Sequence, residues 1–265
     1  MSSLQNPSQD WPRGLGRGGL YGFGLALVRL IFPPQCLVCG TPVENRASLC
    51  PDCWKAVHFL DGPVCAVCGA PFDVDPGDAA VCGACLAHPP AYAMARAVLR
   101  YDDASKAPIL ALKHADRLDL APMLAQWMLR SGQDLIETSD MIVPVPLHPM
   151  RLWRRRYNQA AELARFIARQ SGRIYAPLLL QRRRATRSQG EMPTAKARRR
   201  NVRGAFMVPV VHRAAVQGRH ILLIDDVLTT GATVDACARA LKWAGAEKVS
   251  VLAVARVVRT PEGII

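Results

Sequence analysis

Residues 221–233 read Ile-Leu-Leu-Ile-Asp-Asp-Val-Leu-Thr-Thr-Gly-Ala-Thr. The first four residues are continuously aliphatic and too few for an independent helix, so they predict a parallel strand buried on both faces. Two carboxylates, Asp225 and Asp226, follow at the predicted carboxyl end of this strand. Ligands of open α/β sheets bind beyond that end of the strands. The order of residues therefore predicts an α/β fold, a parallel sheet flanked by helices, with a ligand site at this point.

The residues that follow the two carboxylates predict a phosphate-binding loop. Every side chain from Thr229 to Thr233 is small, and Gly231 permits unusual backbone angles. The alanine-rich stretch up to Ala244 has helical periodicity, and Gly245 ends it. Free N–H groups, hydroxyls and the helix dipole favour phosphate, and the carboxylates favour a diol or Mg²⁺ bound through water. The alternative, a capped helix with merely solvated acids, explains less of the pattern.

Eight of the nine cysteines fall in four Cys-x-x-Cys pairs, separated by ten, eleven and thirteen residues. Two pairs per metal would give two tetrahedral four-thiolate Zn²⁺ sites, as in tandem zinc ribbons. Disulfides and redox catalysis are the alternatives, and a cytoplasmic chain with a fourfold repeat disfavours both. The ninth cysteine, Cys237, is expected to be a buried apolar side chain. The predicted zinc ligands are Cys36, Cys39, Cys50, Cys53, Cys65, Cys68, Cys82 and Cys85.

Positive charge is concentrated in residues 141–203, which hold fifteen arginines and one lysine against two glutamates. A polyanionic ligand, either a phosphorylated small molecule or nucleic acid, would balance such a stretch. An aliphatic strand over Met141–Pro146 feeds a loop from His148 to Asn158. This loop suits pyrophosphate through Arg151, Arg154, Arg155 and Arg156. Residues 182–203 lack apolar periodicity and are expected to form a mobile basic lid.

The 265 residues, half of them hydrophobic, allow about two domains. We expect a flexible lead with a short apolar helix over 1–33, a double zinc ribbon over 34–90, and an α/β domain over 91–265. No apolar run is long enough for a transmembrane segment, and no signal peptide is evident, so the expected location is cytoplasmic. The apolar piece Leu20–Phe32 is expected to pack on the protein, with peripheral contact to the inner membrane as the alternative.

The thirteen-residue string resembles the 5-phosphoribosyl 1-pyrophosphate (PRPP) signature of type I phosphoribosyltransferases. The order of motifs over residues 30–257 resembles the ComF family, whose members join a zinc-binding domain to a phosphoribosyltransferase domain. The motifs are the four cysteine pairs, Leu112-Lys113, Val-Pro-Val-Pro-Leu-His at 143–148, Arg-x-Tyr-Asn-Gln at 155–159, Ser188-Gln189, Arg199-x-Asn-Val-x-Gly-Ala-Phe and the thirteen-residue string. One departure is visible, because Arg156 stands where many relatives have glycine and would alter the loop backbone.

The resemblance implies roles for individual residues and partners for the chain. Asp225 and Asp226 would bind the ribose hydroxyls and Mg²⁺ with PRPP. The rest of the signature would hold the 5-phosphate, through Val227, Leu228, Thr229, Thr230, Gly231, Ala232 and Thr233. Several members of the family are linked to natural transformation, which implies single-stranded DNA and DNA-uptake proteins as partners. No acceptor motif and no general base are legible, and His148 and His220 are expected to be structural.

Two functions fit the sequence. The first is phosphoribosyl transfer from Mg²⁺-bound PRPP to an unnamed acceptor, with electrostatic stabilisation of the departing pyrophosphate. The second is a non-catalytic module that binds single-stranded DNA and uses the same fold as a ligand sensor or scaffold. In the second case, Trp153 and Tyr157 in the basic loop would stack bases, although such aromatic residues more often anchor loops.

Overall fold

The computed structural model describes residues 33–45, 48–77, 79–114, 117–184, 194–260 and 263–264. The predicted apolar helix at Leu20–Phe32 and the motif residues Ser188 and Gln189 lie outside these ranges. The helices are α1 (Pro51–Ala56), α2 (Gly83–Ala87), α3 (Asp103–His114), α4 (Leu120–Ser131), α5 (Gln133–Glu137), α6 (Pro149–Arg155), α7 (Gln159–Ser171), α8 (Ala195–Val202), α9 (Arg213–Val216) and α10 (Ala232–Trp243), with a 3₁₀ turn at Val210–His212. The strands are β1 (Met94–Arg100), β2 (Met141–Pro144), β3 (Ile174–Tyr175), β4 (Gln181–Arg182), β5 (Phe206–Met207), β6 (His220–Leu228), β7 (Lys248–Arg256), β8 (Arg259–Thr260) and β9 (Gly263–Ile264).

Five strands form one sheet in the order β1-β7-β6-β2-β3, and every neighbouring pair is parallel. The chain leaves β2 toward β3 and leaves β6 toward β7, so the two connections run in opposite directions from the middle of the sheet. A crevice forms at such a switch point, outside the carboxyl ends of the two strands, where ligands of open sheets bind. The predicted α/β class with a parallel sheet is confirmed.

The central strand β6 is buried on both faces. Ile221 and Leu223 belong to the apolar cluster that includes α10, whereas Leu222 and Ile224 belong to the cluster that includes α4 and α7. All four side chains are fully buried. Complete burial of an aliphatic side chain stabilises the fold by roughly 1.5 to 3 kcal/mol. The aliphatic run therefore joins two separate cores through a single strand.

The strand prediction was too short at its carboxyl end. β6 continues beyond Ile224 to Leu228, so the two carboxylates lie within the strand and not after it. β7 provides the backbone partners, with Asp225 opposite Ala253 and Leu228 opposite Arg256. β2 ends at Pro144, opposite Ile224, and leaves the other edge of β6 open. On the side of β2, the strand pairing therefore stops at Ile224, and residues 225–228 of β6 border the crevice.

Two segments expected to be loops contain helices. α6 lies inside the predicted loop His148–Asn158, because His148 accepts a hydrogen bond from the Met150 N–H (3.3 Å) and a proline occupies the first turn. α8 lies inside the predicted lid 182–203, with Thr194 as its N-cap. The predictions of irregular loop structure were wrong for these two segments. Arginine forms helices well, so a basic stretch without apolar periodicity is not necessarily a loop.

Candidate functional site

The two carboxylates of β6 are held by their own backbone. Oδ1 of Asp225 accepts a hydrogen bond from the Asp226 N–H at 2.9 Å, and Oδ1 of Asp226 accepts one from the Val227 N–H at 2.7 Å. Both residues are partly exposed, at the end of β6 that extends past β2. Hard carboxylate oxygens suit a diol or Mg²⁺, and the structure places them at the crevice.

The loop after β6 opens the helix α10 without a side-chain cap. Gly231 occupies the N-cap position with φ of +75°, a conformation that glycine adopts without strain. The Thr230 Oγ1 atom is buried and has no hydrogen-bond partner among the described residues. Free backbone N–H groups at a helix start, together with an unsatisfied hydroxyl, suit an anionic ligand. Thr229 and Thr233, at the two ends of this loop, are partly exposed.

The predicted basic residues of the loop after β2 differ in their surroundings. Arg151 lies close enough to the buried Arg182 to affect its pKa. Arg155 turns back and donates to Oε1 of Gln159 at 3.4 Å. Arg156 is exposed and has φ of +65°, a left-handed conformation that glycine adopts easily and that a residue with a β-carbon rarely adopts. The side chain of Arg154 lies outside the described part of the chain.

Arg182 belongs to the site, although the sequence indicated it only as one end of the lid. Burial and the neighbouring Arg151 lower its pKa, and the nearby Asp225 carboxylate opposes that shift. Its guanidinium carbon lies 5.4 Å from the centroid of the Phe206 ring, a cation–π contact between β4 and β5. Arg182, the first residue of the predicted lid, therefore interacts electrostatically with Asp225 of the carboxylate pair. Two leucines just before Arg182, at 179 and 180, are buried and signal that this strand enters the core.

The two predicted structural histidines do make structural contacts. His148 caps α6, as described above. His220 is the first residue of β6 and lies at the amino-terminal ends of the strands, opposite to the crevice. Its Nδ1 contacts the Thr138 carbonyl at 2.6 Å, and its Nε2 contacts Ser250 Oγ at 2.9 Å. Burial lowers the pKa of His220. The ninth cysteine, Cys237, is fully buried as expected.

The eight paired cysteines form two tetrads, and consecutive pairs share each one. Within each tetrad all sulfur atoms lie within 4.8 Å of one another. Four thiolates at this spacing fit a tetrahedral structural Zn²⁺. The first tetrad is Cys36, Cys39, Cys50 and Cys53, and the second is Cys65, Cys68, Cys82 and Cys85.

Each tetrad contains thiols with a lowered pKa and thiols with a raised pKa, and burial raises the pKa of Cys53 in the first tetrad and of Cys85 in the second. A hydrogen bond with the Thr41 side chain lowers the pKa of Cys39 to about 6. Burial opposes ionisation of Cys65, but N–H groups of Cys68 and Cys82 outweigh it and bring its pKa to about 6. The Cys82 N–H lies 3.3 Å from Cys65 Sγ. Lowered thiol pKa values favour metal binding, because the thiolate is the form that coordinates.

The tetrads pack on opposite sides of the sheet edge formed by β1. Segment 58–60 runs along this edge, with the Leu60 N–H donating to Val98 O and the Arg100 N–H donating to His58 O, both at 2.9 Å. Beside the first tetrad, Trp54 and Phe59 contact Trp127 of α4. The zinc-binding segment thus covers the edge strand of the sheet, which protects β1 from pairing with another chain.

A groove runs along α10, from its first turn to its last. It encloses about 970 Å³ between α10, α8 and β5. Trp243 at its far end is 82 % exposed, and the guanidinium carbon of Arg213 lies 5.2 Å from the tryptophan ring centroid. The arginines that line it are Arg183, Arg199, Arg200, Arg203, Arg213 and Arg239, against one acid, Asp235. None of the described helices is long and apolar enough to cross a membrane.

Comparison with known proteins agrees with this architecture. Residues 27–86 match the double zinc ribbon domain model, and residues 158–263 match the phosphoribosyl transferase domain model. The chain is similar to DNA utilization protein YhgH of Escherichia coli K12, at 32 % identity over 86 % of this chain and 99 % of that protein.

More distant relatives carry names that refer to competence. Competence protein F of Haemophilus influenzae is 28 % identical over 84 % of this chain and 96 % of the relative, and Competence protein ComFC of Bacillus subtilis is 26 % identical over 73 % and 78 %. Part of a solved B. subtilis glutamine PRPP amidotransferase also matches, with a TM-score of 0.35 and 20 % identity over 55 % of this chain and 30 % of that one, about a third of that protein's length. From its two domain matches and its similarity to these relatives, the chain belongs to the ComF family, with a double zinc ribbon joined to a phosphoribosyltransferase-fold domain.

Proposed function

We propose that the crevice between β2 and β6 binds PRPP with Mg²⁺ and that the protein transfers the phosphoribosyl group to an acceptor. The observation that carries this proposal is the buried, unsatisfied hydroxyl of Thr230 on a loop that opens an uncapped helix. A buried hydroxyl without a partner costs about 1 to 3 kcal/mol, so a ligand that accepts its hydrogen bond recovers that energy. A phosphate oxygen is the ligand atom that suits both the hydroxyl and the helix start.

The proposed roles follow from the part of β6 that extends past the end of β2 and from the loop after it. The 5-phosphate lies on the loop from Thr229 to Thr233, and the ribose hydroxyls donate to Asp225 and Asp226. The carboxylate oxygens also fit Mg²⁺ through water, and the ion supplies charge neutralisation on the pyrophosphate when bound. The carboxylate pair is negative and lies where positive charge develops on the sugar as pyrophosphate leaves, so it favours the transition state.

Two positive side chains, Arg151 and Arg182, are the proposed contacts of the leaving group. Arg151 on α6 and Asp225 on β6 both lie close enough to Arg182 on β4 to affect its pKa. An anion near both guanidinium groups lowers the repulsion between them, so their proximity favours pyrophosphate as a ligand. Arg182, at the base of the lid, lies near Asp225, whereas the lid residues Arg183, Arg199, Arg200 and Arg203 line the groove along α10. The proposal therefore assigns only Arg182 of the lid to the leaving group.

Calorimetric titration with PRPP tests the site. The zinc-loaded wild-type protein should bind PRPP only with Mg²⁺, and inorganic pyrophosphate should compete. The double variant Asp225→Asn, Asp226→Asn should lose this binding. The charge-matched control Asp61→Asn, Asp134→Asn removes two exposed carboxylates elsewhere and should bind as the wild type does. Equal affinity of the two double variants would refute the assignment.

The groove along α10 favours a second function, binding of single-stranded nucleic acid. The names of the relatives, DNA utilization protein and competence protein, are consistent with it. Six arginines match a phosphate backbone, and the exposed Trp243 offers a stacking surface for a base. The basic loop is the weaker choice, because the Tyr157 hydroxyl donates to the Leu112 carbonyl and holds the ring in the fold.

Two equally exposed tryptophans, one at each candidate nucleic-acid site, allow the two sites to be distinguished by substitution. Trp243 in the groove is 82 % exposed and Trp153 on α6 is 83 % exposed. Fluorescence anisotropy with a labelled oligothymidylate should show weaker binding for Trp243→Ala, by about fivefold from the loss of one stacked base. Trp153→Ala should bind as the wild type does. The reverse order of affinities would move the nucleic-acid site to α6.

A further inference from the structure

The second cysteine tetrad lies against the part of the fold that carries the phosphate loop. Its knuckle pairs with β1, because the Ala95 N–H donates to Val67 O at 2.7 Å. The approach is close, since a β-carbon on Gly69 would lie 2.5 Å from the Ala95 carbonyl oxygen. The tetrad and β1 therefore move as one body with the sheet.

Arg256 links this tetrad to the strand that precedes the loop. Its guanidinium donates to the Cys68 carbonyl at 2.7 Å and lies 3.5 Å from Cys68 Sγ. Its backbone lies opposite Leu228 in the β6–β7 pairing, and the Val257 N–H donates to Leu228 O at 2.9 Å. One residue after Leu228 the loop begins. A metal ligand and the phosphate loop are thus joined through a single arginine.

The linker after the zinc-binding segment, at Ala91 and Tyr92, contacts the other side of the phosphate loop. The Ala91 N–H donates to Oδ1 of Asp235 in the first turn of α10 at 2.7 Å. The hydroxyl of the buried Tyr92 lies over Gly231, 3.2 Å from the position that a β-carbon would take there. Contacts on both sides of residues 229–231 therefore come from the second tetrad or from the linker after it.

The first tetrad makes a different set of contacts. Leu37 and Val57 beside it are buried in the cluster that contains α4 and α7, on the opposite face of the sheet. Trp54 and Phe59 pack on Trp127 of α4. None of these contacts reaches the loop or α10. The two metal sites are therefore not equivalent with respect to the ligand site.

We propose that Arg256 and Tyr92 are positioning residues for the phosphate loop, and that the second tetrad, when it holds zinc, sets the affinity of the site for its phosphoribosyl ligand while the first does not. This inference rests on the proposed PRPP function. Residues that orient a metal ligand commonly change affinity or activity by 10- to 100-fold when replaced. Here the contacts of Arg256 and Tyr92 extend from the second tetrad to the phosphate loop. Loss of these contacts therefore reduces the preorganisation of the loop N–H groups.

The test compares variants of the full zinc-loaded chain at the two tetrads. Arg256→Met and Cys82→Ser should raise the Kd for PRPP with Mg²⁺ by about tenfold or more. They should also speed amide hydrogen exchange in residues 228–235. Arg117→Met, which alters an arginine beside the first tetrad, and Cys39→Ser should leave the Kd within about twofold and the exchange unchanged. Native mass spectrometry counts the zinc ions that each cysteine variant retains, and one ion is expected in place of two.

The two readouts keep the inference separate from the proposed function. Wild-type protein that fails to bind PRPP refutes the proposed function, and the exchange rates of residues 228–235 still decide the coupling. Wild-type protein that binds, with Arg256→Met equal to it in both Kd and exchange, overturns the inference alone. An equal loss of affinity in Cys39→Ser would also overturn it. If Cys82→Ser does not fold, Arg256→Met carries the test.

Discussion

Thr230 is the residue at which stability and binding should separate most clearly. Its hydroxyl is buried without a partner, so it costs free energy in the unliganded fold. Thr230→Val keeps the shape and removes the hydroxyl. We expect the free energy of unfolding to rise by about 1 kcal/mol and the affinity for PRPP to fall by about tenfold. Denaturant unfolding and calorimetric titration measure the two effects.

Thr138→Val provides the matched control for that substitution. The Thr138 hydroxyl donates to the Asp134 carbonyl at 2.7 Å, so its loss should reduce stability by about 1 kcal/mol. Thr138 lies at the amino-terminal ends of the strands, beside His220 and away from the crevice, so PRPP affinity should not change. A Thr230→Val protein that is less stable and binds PRPP normally would mean that its hydroxyl serves the fold and not a ligand.

Arg156 tests the backbone of the loop after β2. Its φ of +65° is unfavourable for a residue with a β-carbon, by roughly 1 to 2 kcal/mol. Arg156→Gly should therefore leave the free energy of unfolding unchanged within about 1 kcal/mol, since relief of strain offsets the greater entropy of the unfolded chain. Arg156→Val should lower it by about 2 kcal/mol, because a β-branched residue tolerates this conformation least. Equal melting temperatures for the two variants would exclude the left-handed conformation at 156.

Residues that carry their own chemistry could be predicted, and residues that act through distant contacts could not. The cysteine pairs and Asp225 with Asp226 are short motifs that specify their surroundings. Tyr92 and Asp235 meet at the loop only because the linker folds back over α10. Arg182 depends in the same way on the pairing of β4 with β5. No local pattern in the sequence encodes these long-range neighbours.

At the scale of elements, the junction between β6 and α10 decides the site. Gly231→Ala should lower the free energy of unfolding by about 1 to 2 kcal/mol, because alanine is strained at φ of +75°. Its β-carbon would also press on the Tyr92 hydroxyl at 3.2 Å, so PRPP affinity should fall as well. Thermal unfolding and calorimetry check both. Gly62→Ala, with open space around it and no positive φ, should not be destabilised, and a similar loss there would point to a general effect of alanine.

The elements differ in how much of them the sequence determines. The start of α7 at Gln159 is determined locally, since Asn158 caps the helix and accepts from the Ala160 N–H at 3.2 Å. The length of β6 was mispredicted because β7, nine residues long, extends the pairing past the aliphatic run. Strand length depends on the partner strand, which a single segment does not show.

At the scale of the whole molecule, stability should fall as the solution becomes acidic. Burial and the nearby Lys248 lower the pKa of His220, whereas the Thr138 carbonyl, Asp140 and Glu247 oppose the shift. Below about pH 6.5 the unfolded chain therefore binds a proton that the folded chain binds less well, and stability is lost as the pH falls toward the lowered pKa. Between pH 8 and pH 5.5, the wild type should lose more stability than His220→Gln. A steeper loss in the variant would contradict this sign.

The central claim is that the phosphoribosyl ligand occupies the switch-point crevice, and a crystal structure of the zinc-loaded protein with PRPP and Mn²⁺ tests it most directly. We predict the 5-phosphate on the loop from Thr229 to Thr233, within hydrogen-bond distance of Thr230 Oγ1. The ribose hydroxyls should lie on Asp225 and Asp226, and anomalous scattering should place Mn²⁺ near these carboxylates. Ligand density confined to the arginine groove along α10, with an empty crevice, would contradict the account.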